Sequence, residues 1–415
     1  MTDTRTAFIQ AATWHGDLED AEVQLHRHPE LRSSDIHTAA ILGDAAAVER
    51  FLASDRGSAK AKSPPFGGSA LVYLTLSKYL RHEPGRTPAF LRAATALLDA
   101  GADPNEGFWT AGQHPEHETP LYGAAGVAHN PELTRLLLDR GADPNDPEAV
   151  YHSPETDDSR AMQVLVETGQ LTPENLALML IRKHDWHDYE GVKYLLGRDV
   201  DPNHQWGRGN VPIHHAVARD NSSDIIALLL DHGADPRTRK DGATAIERAA
   251  RRGRGDLLRL FRERGFPIEL QGVDRLIAAC ALDDAATIAE IREREPRTVS
   301  ELLVHGAKLL AEFAATWNTA GVQHLLDLGV PVNARYEGDG YFDIAKNSTA
   351  LHVAAWQSRP DLVQLLVARG ADVEARDEKG RTPLVLAHKA RVDSYWIERA
   401  TPEPERILRQ AGATA

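Results

Sequence analysis

The string Leu97-Leu98-Asp99-Ala100-Gly101-Ala102-Asp103-Pro104-Asn105 constrains this chain more than any other feature, because it comes back. It returns from Leu137 to Asn145, changed only at Arg140, and again from Leu229 to Pro236. Weaker copies run from Leu195 to Asn203, Leu325 to Asn333 and Leu365 to Asp372. A second string precedes several of them: Thr119-Pro120-Leu121-Tyr122, Pro212-Ile213-His214-His215-Ala216, Thr349-Ala350-Leu351-His352-Val353-Ala354-Ala355 and Thr382-Pro383-Leu384. Two motifs recurring in fixed order argue for a stack of like units, each burying its apolar face on the next.

Each piece has a local meaning. Thr119 and Thr382 are helix N-caps, with Pro120 and Pro383 at the first helical position, where a missing N–H costs nothing. The Ala-Ala pairs allow close helix approach, and the Leu-Leu pairs form the buried stripe of a second helix. Gly101, Gly141, Gly233 and Gly370 fall where that helix stops, at a left-handed position suited to glycine. Asp-Pro-Asn then opens a turn. The unit reads as helix, short link, helix and turn-rich finger.

These residues resemble the ankyrin repeat, whose usual form is Thr-Pro-Leu-His-x-Ala-Ala followed by Leu-Leu-x-x-Gly-Ala-Asp. The resemblance extends over essentially the whole chain at a period of about 33 residues. It implies an all-α ankyrin-repeat solenoid of about twelve helix-turn-helix units with short finger hairpins, in one continuous curved array. Units begin near Phe8, Asp35, Gly68, Glu118, Pro147, Pro173, Gly209, Gly242, Val273, Leu302, Asn347 and Gly380. Residues 1–34 and 380–415 read as capping repeats and 35–379 as internal ones. The units near Pro147, Pro173, Val273 and Leu302 depart furthest from the pattern, and the Asp157-Asp158 stretch reads as loop as readily as helix. His82-Glu83-Pro84-Gly85-Arg86 reads as an insertion between the two helices of its unit.

Composition narrows the function. Lys plus Arg number 47 against 61 Asp plus Glu, a net charge of −14 over 415 residues. That balance disfavours nucleic-acid backbones and anionic membranes as partners. The single cysteine, Cys280, excludes an intramolecular disulfide and a cysteine-based zinc site. Without a signal-like apolar stretch at MTDTRTAFIQ, and with no long apolar run, the chain reads as cytoplasmic. Its arginine-over-lysine and alanine-rich usage suggests a GC-rich, bacterial source.

No phosphate loop, dinucleotide fingerprint or nucleophile elbow is present, and no cofactor is implied. His214 and His352 occupy the motif's fourth place, which in this family makes structural hydrogen bonds. His114-Pro115-Glu116-His117-Glu118 and His184-Asp185-Trp186-His187-Asp188 carry metal-ligand residue types. Neither has the i, i+4 helical spacing of a zinc protease, and no metal site is assigned. Arg251-Arg252, with Arg248 and Arg254, could pair with an acidic group or form a solvated face.

Aromatic residues give the better clue. Trp14, Trp317 and Trp356 follow Ala-Ala pairs, with Trp186 near an equivalent place, and the resemblance implies that such sites and the finger tips bind partners. The candidate binding residues are Phe108, Trp109, His114, His117, Tyr122, Trp206, Arg208, Tyr336, Tyr341, Phe342 and Trp356. Several lie in the long fingers Glu106 to Glu118 and Arg335 to Lys346, and long ordered loops are more often functional. The leading reading is a protein–protein interaction scaffold holding a partner in the concave groove. The alternative is a small-molecule binder or enzyme with an aromatic- and histidine-lined pocket, for which Tyr122, Tyr151 and His152 offer further groups. No nucleophile–base pair can be placed from the sequence.

Overall fold

The computed structural model describes residues 3–207, 209–392 and 400–414. The described chain is all-α, with strand confined to the hairpins Phe108–Trp109/His117–Glu118 and Arg239–Lys240/Ala243–Thr244. It forms two compact units, Met1–His215 and Ala216–Ala415, each a run of paired antiparallel helices.

In the first unit, Thr4–Ala12 pairs with Leu18–Arg27, Ile36–Ile41 with Ala45–Ser54, and Ala70–Thr75 with Thr87–Asp99. The predicted insertion, His82 to Arg86, begins at the last residue of a short helix, Lys78–His82, and contains a turn of 3₁₀ helix, Pro84–Arg86. Next come Pro120–Tyr122, continued by a π-turn to Val127, with Pro131–Asp139, then Pro147–His152 with Arg160–Glu167, and Pro173–Asp185 with Tyr189–Leu196. Asp157 and Asp158 lie outside helix. The second unit pairs Ala245–Arg251 with Gly255–Glu263, Gly272–Leu282 with Ala285–Arg294, Gly306–Ala315 with Thr319–Asp327 and Ala350–Trp356 with Pro360–Ala368. An additional helix, Pro296–Val304, precedes Gly306.

Local chemistry sets these boundaries. Thr119 Oγ1 accepts the Tyr122 N–H at 3.1 Å and Thr382 Oγ1 accepts the Val385 N–H at 3.3 Å, one orphan donor each. Gly101, Gly141, Gly233 and Gly370 have φ of +100°, +91°, +91° and +84° where their helices stop. Leu97, Leu137, Leu195, Leu229, Leu325 and Leu366 are fully or almost fully buried, so the Leu-Leu stripe is the core of the second helices.

The link between the helices of a pair also needs a left-handed residue, placed just before the outer helix and its cap. Glycine fills it at Gly43 and Gly253, but Trp14, His129, His187, Asp283, Trp317 and Ser358 hold φ between +47° and +65°. Trp14 and Trp317, which the sequence groups with Trp356 by their Ala-Ala neighbours, therefore sit in links, whereas Trp356 is the last residue of an inner helix.

Asparagines tie finger to finger. Asn105 donates to Gly141 O at 2.8 Å and accepts from the Asp143 N–H at 2.8 Å. Asn145 does the same with Gln170 O and the Thr172 N–H, and Asn333 with Gly370 O and the Asp372 N–H.

Candidate functional site

The finger from Glu106 to Glu118 folds as a hairpin in which Phe108 lies opposite Glu118 and Trp109 opposite His117. Strand alternation sends the two pairs to opposite faces. Phe108 and Glu118 point inward, 6% and 1% exposed. Trp109 is 65% exposed and stacks on the His117 ring at 4.7 Å. His114 is exposed at the hairpin's turn.

Beneath the finger, Phe108 stacks on Phe66 at 5.3 Å and meets the edge of Trp14 at 5.6 Å. The Trp14 indole N–H donates to the Tyr122 hydroxyl at 3.0 Å, and burial pushes that phenol up to about 12. Phe108 and Tyr122 are thus brought together, with Trp14 and Phe66 as neighbours, while Trp109 and His117 form a separate outward pair. Trp206 is half-buried in its own finger, bonded through its backbone to Asn210 at 2.9 Å. Arg208 lies outside the described residues.

Beside the aromatic cluster runs a strip of ionisable groups from the finger strand and from the inner helices Pro147–His152 and Pro173–Asp185 with the turn between them. Glu118 is joined electrostatically by Glu148, Glu116, His152 and Asp146. Burial, reinforced by the Glu148 and Glu116 charges, pushes its carboxyl up to about 7. The Glu118 Oε2 atom is buried with no hydrogen-bond partner. His152 lies 3.5 Å from Glu148 and 2.7 Å from Glu155, and burial holds its imidazole below the ordinary range. Arg182 then pairs with both Glu155 and Asp185 and covers the Tyr151 ring at 4.3 Å, and Asp185 meets His215 Nε2 at 2.8 Å.

In the second unit the long finger is latched onto the helices. Asp343 receives Lys379 at 2.8 Å, Lys389 at 2.8 Å and Arg381 at 3.2 Å, which hold its carboxyl far below the usual range. The Trp356 indole N–H donates to Phe342 O at 2.8 Å. Trp356 and Tyr336 are 5% and 9% exposed, Phe342 is half-buried, and Tyr341 is 42% exposed under the Arg219 guanidinium at 3.7 Å. Close by, the enclosed Arg252 binds Asp220 and Glu312. Arg251 pairs with Asp274 at 2.7 Å, Arg254 with Asp256 at 2.7 Å and Arg248 with Asp241 at 3.3 Å. A cavity of about 460 Å³ opens here between Arg248, Arg251, Ile277, His305, Lys308 and Leu309.

His352 accepts from the Thr349 N–H at 3.1 Å and reaches Arg381 O of the following finger, the structural role expected of it. Among the described residues, no group of three His, Cys, Asp or Glu side chains could hold a metal ion, and no helix is long and apolar enough to cross a membrane. Cys280 is buried, and burial pushes its thiol up to about 12.

Three separate stretches match ankyrin-repeat family models: 116–148 a single ankyrin repeat, 178–271 ankyrin repeats in three copies and 325–387 ankyrin repeats in many copies. The chain is an ankyrin repeat protein. It is 26% identical over 203 residues to SH3 and multiple ankyrin repeat domains protein 2 of Homo sapiens, covering 48% of this chain and 10% of that one. The ankyrin repeat domain-containing protein SAT10 of Stachybotrys chartarum is 26% identical over 355 residues, 83% of this chain and 15% of the relative. An ankyrin repeat protein of Rickettsia felis is 25% identical over 251 residues, 55% and 63% of the two chains. This ankyrin repeat protein therefore spans less than two thirds of each of these relatives.

Sequence reading weighed Glu118 only as a metal-ligand type and left Glu148 out altogether, because the motif treats one as a finger residue and the other as an ordinary helix carboxylate. The available signal was the excess of acidic residues over basic ones between Glu116 and Glu155.

Proposed function

We propose that this ankyrin repeat protein is an interaction scaffold that binds a segment of a partner protein on the inner-helix and finger side of its repeats, in the cytoplasm. Ankyrin repeats are generally protein–protein interaction modules. The observation that carries the reading is Trp109, 65% exposed on the outward face of a long ordered finger hairpin and stacked on His117 rather than on the core. Tryptophan is among the residue types most enriched in binding hot spots. Phe108 and Tyr122 pack beneath that finger and His117 lies against Trp109, and in this reading exposed His114, together with Trp206, Tyr336, Tyr341, Phe342 and Trp356, extends the binding side.

The test is affinity capture from the native host, mass spectrometry, and titration of the purified partner. Trp109→Ala is expected to weaken binding by about 2 kcal/mol or more with an unchanged unfolding midpoint. Trp356→Ala is expected to lower the midpoint, since its indole is buried and bonded to Phe342 O. Unaltered affinity in Trp109→Ala would refute the reading.

A further inference from the structure

The first unit carries a charge imbalance that its own residues leave uncorrected. Elsewhere acidic groups near the inner helices meet arginines: Asp35 binds Arg5, Asp158 binds Arg160 and Asp220 binds Arg252. Along the strip, Arg182 answers Glu155 and Asp185. Among the described residues no lysine or arginine pairs with Glu116, Glu118 or Glu148; His152 lies against Glu148 and is itself shared with Glu155, and His117 stands between the other two in the finger strand.

Burying a carboxylate without a partner is costly, and clustering like charges adds to the cost. Glu118 bears both burdens. It is 1% exposed, its Oε2 lacks any hydrogen-bond donor, and Glu148 and Glu116 are its strongest charged neighbours. Glu116 is exposed and Glu148 is 18% exposed, so an approaching cation meets them first, with Glu118 behind.

The ligand's chemistry follows from the spacing. These carboxylates are not gathered closely enough to hold a metal ion. A guanidinium or ammonium group is larger and spreads several N–H donors over separated oxygens. The neighbouring rings suit it: Tyr122 and His152 lie 5.4 Å apart, with Tyr151 against His152 at 4.8 Å, and aromatic faces attract cations.

We propose that this strip receives a basic segment of the partner protein, with one arginine or lysine side chain seated on Glu116 and Glu148 over Glu118. The proposal rests on the reading that the finger side of the repeats binds protein. It goes beyond that reading in naming the residue type that is recognised.

A fluorescein-labelled peptide, Gly-Arg-Gly-Lys-Gly-Arg-Gly, is the probe, and its glutamate-substituted counterpart is the control. Anisotropy titrations use the full chain. The double variant Glu118→Gln/Glu148→Gln is expected to weaken binding by about tenfold or more, as truncating a desolvated charge contact does. Glu263→Gln/Glu293→Gln removes two carboxylates from exposed outer-helix positions and is expected to shift affinity by only about twofold. Calorimetry in two buffers of different ionisation enthalpy should show proton release near neutral pH, since a docked cation favours ionised Glu118 against Glu116, Asp146, Glu148 and His152.

Equal losses in the two double variants would mean diffuse attraction and overturn the proposal, as would failure of the parent chain to bind the basic peptide. If the captured partner loses affinity with Trp109→Ala but binds Glu118→Gln/Glu148→Gln normally, protein binding stands and the basic-segment assignment falls. If Trp109→Ala is silent while the site variant fails, the strip is the recognition element and the Trp109 reading falls.

Discussion

Replacing Glu118 by glutamine should make the protein more stable at alkaline pH relative to the parent, with a predictable dependence on pH. The Glu118 carboxyl lies at about 7 in the folded chain against an ordinary value of 4.5. A folded value above the unfolded one means that folding favours the protonated form. The stabilisation is complete below the unfolded value and is lost as pH rises through the folded one. At about 1.4 kcal/mol per pH unit, the loss amounts to about 3 kcal/mol. Because the side chain is almost wholly buried, solvent screening does not reduce this figure greatly. Glutamine keeps the shape and cannot ionise, so the variant escapes that loss. The amide carries a cost of its own, as its N–H groups need acceptors. The informative quantity is thus the difference between variant and parent, which should swing by about 3 kcal/mol towards glutamine from acid to mildly alkaline pH. Glu148 and Asp146 are also raised, and His152 is lowered with the opposite sign, but these terms are common to both proteins and largely cancel. Urea unfolding followed by circular dichroism gives the difference, and hydrogen exchange of peptides spanning 106–152 localises it. A difference that stays constant with pH would refute the argument, because it would mean that Glu118 has a compensating partner.

Other substitutions probe the second unit. Arg252→Met leaves Asp220 and Glu312 facing one another without their cation and should cost about 3–5 kcal/mol in urea titration; replacing all three by apolar residues should recover most of it. Gly253→Ala should lower the midpoint by the equivalent of about 1–3 kcal/mol, since φ is +71° and a Cβ would meet the Phe313 ring at 2.6 Å. Leu229→Ala, at a fully buried position, should cost about 2–5 kcal/mol, and Thr382→Ala about 1 kcal/mol through its lost cap. Equal, negligible losses for this last pair would contradict the helix faces assigned here.

Local rules made much of the fold legible. A glycine after Leu-Leu and a threonine before Pro-Leu each act within a few residues, so Gly101 and Thr119 could be assigned from their neighbours alone. Trp14 and Trp317 show the limit of that logic. They follow their Ala-Ala pairs one residue later than Trp356 does, and they lie outside the helix in the left-handed link. The departures near Leu302 concealed the helix Pro296–Val304, whose apolar residues lack the motif that marks the others. Of the candidate site, the finger aromatics were legible as a set, but not which of them face solvent. That depends on hairpin register, which places Trp109 opposite His117 and Phe108 opposite Glu118. The acidic strip was illegible for a different reason: Glu118 and Glu148 are brought together by stacking of successive repeats, and no spacing rule within a repeat reports such a pair.

The asparagine clamps bear on how such a chain can change. Asn105 and Asn333 stand one and two residues before the two long fingers, and each fixes the distance to the next finger through a side-chain amide that takes the place of a peptide group. Spacing is therefore settled before the finger begins. Residues can be inserted or lost beyond the clamp without altering the pitch of the helices behind it, so recognition loops can diverge in length and sequence while the framework keeps its register.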